Sequence, residues 1–150
     1  MISRTVLVLA ESFGEALDAT RVADAIGRGL SAEGHLECDL CPLDTCTERL
    51  ADAAPGAASK LLDGHAFDRR MRAARALVIA REHLQDSTLA GSVAFEAATR
   101  ARQSGVPAYA IVGHDELDPF EARIVDLQVI LQASTPRALS AAGRKLAALV

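Results

Sequence analysis

Aromatic side chains are scarce: 150 residues hold no tryptophan, one tyrosine and four phenylalanines, although half of the chain is hydrophobic. A core of this composition has to be built from Ala, Val, Leu and Ile, which favours helices packed closely on a sheet. Positive charge is not in excess either. The net charge of −4 gives no general attraction to phosphate backbones or anionic lipid, so neither nucleic acid nor membrane is an expected partner. No stretch approaches the roughly 20 apolar residues of a membrane span. The apolar run Val6–Ala10 is shorter than a signal-peptide core and meets Glu11 at once, so a cytoplasmic protein is expected.

Cysteine is too sparse for a disulfide scaffold, since Cys38, Cys41 and Cys46 cannot all pair within one chain. With His35 they can be written as a metal knuckle. However, Leu36, Cys38 and Leu40 alternate with Glu37 and Asp39 as a half-buried strand does, which points Cys38 and Cys41 to opposite faces. No Gly or Pro lies between them to make the turn that a knuckle needs, so buried thiols are expected. Phosphate cradles of the common kinds are missing as well, because neither Gly-x-Gly-x-x-Gly nor Gly-Lys-Ser/Thr occurs. A hydrolase triad can be assembled from Ser12, His83 or His114, and Asp86, but no Gly-x-Ser-x-Gly elbow presents the serine. Arg81 and Ala133 stand where a response regulator needs an Asp and a Lys.

What is present is an alternation of short apolar runs with helical patterns, which signals βαβ units. Strands are expected at Thr5–Leu9, Leu36–Cys41, Ala76–Ala80, Ala108–Val112 and Gln128–Gln132. A first helix, capped by Asp18 or Thr20, carries Val22, Ile26 and Leu30 and stops at Gly34. Another places Phe67, Met71 and Ala74 in register, Ser92–Ser104 forms a third, and a short helical segment is expected at Pro119–Val125. A terminal helix with Leu139, Leu146 and Leu149 starts at Thr135-Pro136. Arg69, Arg70, Arg72 and Arg75 read as a solvated helix face. Ala54–Ser59 reads as a linker. The expected architecture is an α/β three-layer sandwich with a mainly parallel five-stranded sheet, Rossmann-like or flavodoxin-like, in the order 2-1-3-4-5. The length suits one such domain over residues 1–150. Any ligand should then lie outside the carboxyl ends of the strands. The loops there begin at Glu11, Leu43 and Arg81. His83 and His114 read as solvated loop residues, and Phe13 as a core plug.

Taken in order, Val6-Leu-Val-Leu-Ala-Glu-Ser-Phe13, Leu17, Val22–Leu30, Pro42-Leu43 with Glu48, Ala76–Ala80, Glu82, Thr88-Leu89, Gly91, Gly105-Val-Pro107, Ala110-Ile111 and Gly113 resemble the bacterial glycerate kinase family. That resemblance covers the N- and C-terminal parts of the family, with a junction near residues 54–65 where family members carry a second domain. It implies ATP and Mg²⁺ as cofactors if the domain is active. It implies catalytic roles for Glu11 and Glu82, substrate or phosphate contacts from Ser12, Phe13, Ser87, Thr88 and Gly91, and Glu48 as a Mg²⁺ ligand. The departures fall on the loops. Glu11-Ser-Phe-Gly-Glu15 stands for the family's Asp-Ser-Phe-Lys-Gly, Arg81-Glu-His83 for Gly-Glu-Gly, and Ser92 for a lysine. Losing cations and close-approach glycines should remove most phosphoryl-transfer rate. The resemblance therefore implies a kinase-like domain with weak or no phosphotransferase activity, binding a small anion or a protein partner. The alternative is an active kinase completed by homo-oligomerisation.

Overall fold

The computed structural model describes residues 3–43, 56–85, 92–120 and 126–150. Labelled in chain order, the described elements are β1 (Thr5–Ala10), α1 (Ala19–Ser31), β2 (Glu37–Pro42), α2 (Ala57–Gly64), α3 (Phe67–Arg72), β3 (Ala76–Gln85), α4 (Val93–Gln103), β4 (Ala108–Glu116), β5 (Leu127–Gln132) and α5 (Pro136–Ala147). The five strands form one all-parallel sheet in the order β2-β1-β3-β4-β5, the order that the alternation of elements predicts. No helix among the described residues is long and apolar enough to cross a membrane.

Strand periodicity divides the core in two. Val6, Val8, Ala10, Val78 and Ile111 point to the face covered by α1 and α5, whereas Leu7, Leu9, Leu77, Ile79 and Ala110 point to the face covered by α2, α3 and α4. Every residue from Val6 to Ala80 that belongs to β1 or the first half of β3 is at most 3% exposed, as expected of central strands buried on both sides. Cys38 and Cys41 fall on opposite faces of β2, Cys41 in the α2–α4 core and Cys38 against the other.

Local signals set most helix starts. Asp18 accepts from the Arg21 N–H, Ser92 from that of Phe95 and Thr135 from that of Ala138, each satisfying a first-turn donor. Among the helix-face positions, Phe67, Met71, Leu139 and Leu146 are buried. Leu149 is instead 55% exposed, because α5 ends at Ala147 and the register is lost beyond it. α1 likewise ends at Ser31, three residues before the expected stop at Gly34. Of the expected linker Ala54–Ser59, residues 57–59 are helical, and 54 and 55 lie outside the described residues. Of the expected helix Pro119–Val125, residues 119 and 120 are helical and the rest lie outside the described residues.

The arginine run is not uniformly solvated. Arg70 donates to both oxygens of Asp39, at 2.9 and 2.7 Å, and to the Leu40 carbonyl, tying α3 to the edge strand β2. Its hydrogen bond to Asp39 holds the guanidinium pKa above its ordinary value. Arg100 does the same for the helix layer, bonding Asp63, Asp68, Glu96 and Ser59.

On the other face α1 and α5 meet backbone to backbone. A Cβ built at Gly29 would collide with the Ser140 carbonyl oxygen, and one at Gly143 with that of Ile26. Glycine is required at both crossing points. Gly29→Ala or Gly143→Ala should therefore cost about 2–3 kcal/mol through overpacking, read as a lowered urea midpoint; an unchanged midpoint would mean that the helices part without loss. Burial also raises the pKa of the Cys38 and Cys41 thiols, which leaves less thiolate at any given pH. Site-resolved alkylation near pH 8 should accordingly label Cys41 slowly in the folded chain and quickly once unfolded. Fast labelling of the native protein would contradict its burial.

Candidate functional site

In the observed strand order, the crossover from β1 leads through α1 to β2 on one side, and that from β3 leads through α4 to β4 on the other. The order thus reverses between β1 and β3, and the carboxyl ends of those two strands form the switch point where such sheets bind ligands. The β1–β3 register runs Val8↔Val78, Leu9↔Ile79 and Ala10↔Ala80. The Glu11 N–H then donates to the Ala80 carbonyl at 3.0 Å, which carries the pairing one residue further and sets Glu11 beside Arg81.

These two side chains are joined. Arg81 Nη1 donates to Glu11 Oε1 and Oε2, each at 3.1 Å, and Nε donates to the His83 carbonyl at 3.0 Å. Both side chains are well buried, at 11% and 7% exposure. A buried pair of this kind gains its Coulomb energy in a poorly screened setting, and removing either partner takes from the other a charge that offsets its desolvation. Glu11 is therefore committed to a guanidinium at the position where the sequence suggests a catalytic carboxylate.

Around this pair the edge is more polar and more open. Phe13 and Leu17 bridge across a tight turn, and both are 7% exposed within the α1–α5 core, so Phe13 is the core plug that its position suggests. Gly14 has φ +69°, a left-handed conformation that suits glycine, and the Glu82 carboxylate packs beside it, with Oε1 3.6 Å from where a Cβ would stand. Ser12 sits between Glu11 and Phe13, half-buried.

Strands β3 and β4 run well past their apolar segments, to Gln85 and Glu116. Arg81, Glu82, His83 and His114 thus belong to strands, not to loops. Polar side chains made the segment look like a loop, but parallel pairing uses only the backbone, and the pairs Arg81↔Val112 and His83↔His114 continue the ladder. That register stacks the two imidazoles, with ring centroids 4.8 Å apart and planes 16° from parallel. Glu82 Oε1 lies 3.7 Å from His83 Nε2, with both side chains more than a third exposed.

The structure thus brings Glu11, Ser12, Glu82 and both histidines to one edge. Ser87, Thr88, Gly91, Glu48 and Asp86 lie outside the described residues. Among the described residues no group of three His, Cys, Asp or Glu side chains is placed to hold a metal ion. Sequence reasoning missed the Glu11–Arg81 pair, although a signal existed: Val8-Leu-Ala-Glu11 and Val78-Ile-Ala-Arg81 are parallel strings ending in opposite charges.

Arg81→Met should destabilise the fold by about 3 kcal/mol by taking the guanidinium from the buried Glu11 carboxylate, whereas Glu11→Gln together with Arg81→Met should recover most of that loss. A double-mutant cycle on urea-unfolding free energies measures the coupling. Strictly additive single effects would show that the pair carries no interaction.

No family model matches the chain, and no curated protein matches it. Among solved structures, the chain is similar to a glutaminase domain of Trypanosoma brucei CTPS with bound acivicin, at 13% identity and a TM-score of 0.41. The match covers 74% of this chain and 36% of that one, so the chain spans about a third of the length of the structure it resembles.

Proposed function

We propose that this chain is a glycerate-kinase-like α/β domain with weak or no phosphotransferase activity, working in the cytoplasm and binding a small anion or a protein partner. The observation that carries this reading is the Glu11–Arg81 pair at the switch point. To hold Mg²⁺, Glu11 would have to release Arg81 and leave a guanidinium beside the metal; to hold a phosphate, Arg81 would have to abandon a buried carboxylate. Either exchange breaks a low-exposure ion pair, at several kcal/mol.

The neighbouring groups support the same reading. Phosphoryl transfer rests on positioning and on cations aimed at the transferring group, and here the cation at the edge is already neutralised. Arg81 and His83 stand where the family's loop carries glycines, and both belong to β3, so side chains occupy space that backbone would need for close approach to phosphate.

Thermal unfolding with and without millimolar Mg-ATP and D-glycerate tests the reading. A kinase saturated at about 100 times its Kd would gain about 2.7 kcal/mol, whereas no stabilisation is expected here, and no 3-phospho- or 2-phosphoglycerate should form in a coupled assay. Turnover at or above about 1 s⁻¹, an ordinary enzymatic rate, would overturn the proposal.

A further inference from the structure

A second feature lies away from the strand edge, on the outer surface of the α1–α5 layer. There an open groove of about 430 Å³ is lined by Arg28 from α1 and by Arg137, Ser140 and Arg144 from α5, together with the small Ala25 and Ala141. The spacing explains the convergence. Residues 137, 140/141 and 144 recur at three to four positions along α5, and 25 and 28 do so on α1, so each helix turns one stripe to the groove.

Three observations point to an anion. First, the lining has three arginines and no acidic residue, in a chain whose overall charge is −4. Second, no hydrogen bond or ion pair to another described residue engages the guanidinium of Arg28, Arg137 or Arg144, so all three are available to a ligand, as are solitary surface arginines such as Arg69 and Arg102, but here three converge on one groove. The acid nearest in sequence, Asp24, lines a separate groove on the other side of Arg28. Third, the rims are rigid. Arg28 adjoins Gly29 and Arg144 adjoins Gly143, the two residues at which the helix backbones touch, and the Arg144 N lies 2.8 Å from where a Gly29 Cβ would stand. The backbones that carry the arginines are thus fixed relative to each other before any ligand arrives, which lowers the ordering cost of binding.

We infer that this groove is a binding site for a small molecule bearing two or more phosphate groups. Guanidinium groups stay charged at any physiological pH and match phosphate oxygens in a bidentate geometry. Arg137 stands in the first turn of α5, where the helix dipole also favours negative charge. The volume is within the range of small-molecule sites. No aromatic residue lines the groove to stack on a base, so the recognised part is the phosphorylated group and not a nucleobase.

Isothermal titration of the full chain with inorganic pyrophosphate at low ionic strength tests the site. Saturable binding is expected, about tenfold tighter than for orthophosphate and tighter than for citrate. Arg28→Gln, Arg137→Gln and Arg144→Gln should each weaken it about tenfold, with unliganded melting temperatures unchanged because the side chains are exposed. Arg102→Gln, which removes the same charge from α4 on the opposite layer, should change the affinity less than twofold. The inference is overturned by no saturable heat up to about 10 mM pyrophosphate, by an equal loss in Arg102→Gln, or by citrate binding as tightly as pyrophosphate.

Discussion

The parallel pairing of β1 with β3 is the constraint from which the rest of the molecule follows. These strands sit side by side in the middle of the sheet, their apolar segments at most 3% exposed, so one-residue slips of register would carry leucines and valines to the wrong core. With Ala10 fixed opposite Ala80, the next residues along both strands have no freedom over whom they meet. Glu11 and Arg81 are adjacent because the apolar cores on either side lock the register.

That adjacency decides what the carboxyl edge of the sheet can do. A doubly wound sheet leaves a crevice at the reversal of strand order, and the ligands of such folds exploit it. In this chain the carboxyl ends of β1 and β3 carry a buried ion pair in which opposite charges already meet. Polar groups that remain more accessible, Glu82 and the stacked His83 and His114, stand on strands that continue beyond the apolar core, and their spacing is set by the same β3–β4 ladder.

Helix packing distributes rigidity differently on the two faces. On one, charged side chains make the connections: Arg70 reaches the edge strand and Arg100 gathers α2, α3 and α4. On the other, the absence of side chains does so, since Gly29 and Gly143 let α1 and α5 touch along their backbones. A core rich in Ala and poor in aromatics is compatible with such approach, because small residues bring helix axes close. The arginines of the outer groove inherit their fixed placement from that contact, and the strand edge plays no part in it.

Strand positions, the order of the sheet, the cap at Thr135 and, as one of two candidates, that at Asp18 were legible in the sequence, because periodicity of two or about four residues and side chains that cap their own backbone are local properties. The opposite faces of Cys38 and Cys41 were legible for the same reason. The length of β3 and β4 was not. Their ends are polar, and only the neighbouring backbone supplies the reason to stay extended. Neither was the neutralisation of Glu11, nor the gathering of Arg28, Arg137 and Arg144, which are more than a hundred residues apart in part. The sequence by itself determined which residues face inward, since that depends on periodicity along one element. Which charges meet was left to tertiary structure, since that depends on register between strands and on where two helices touch.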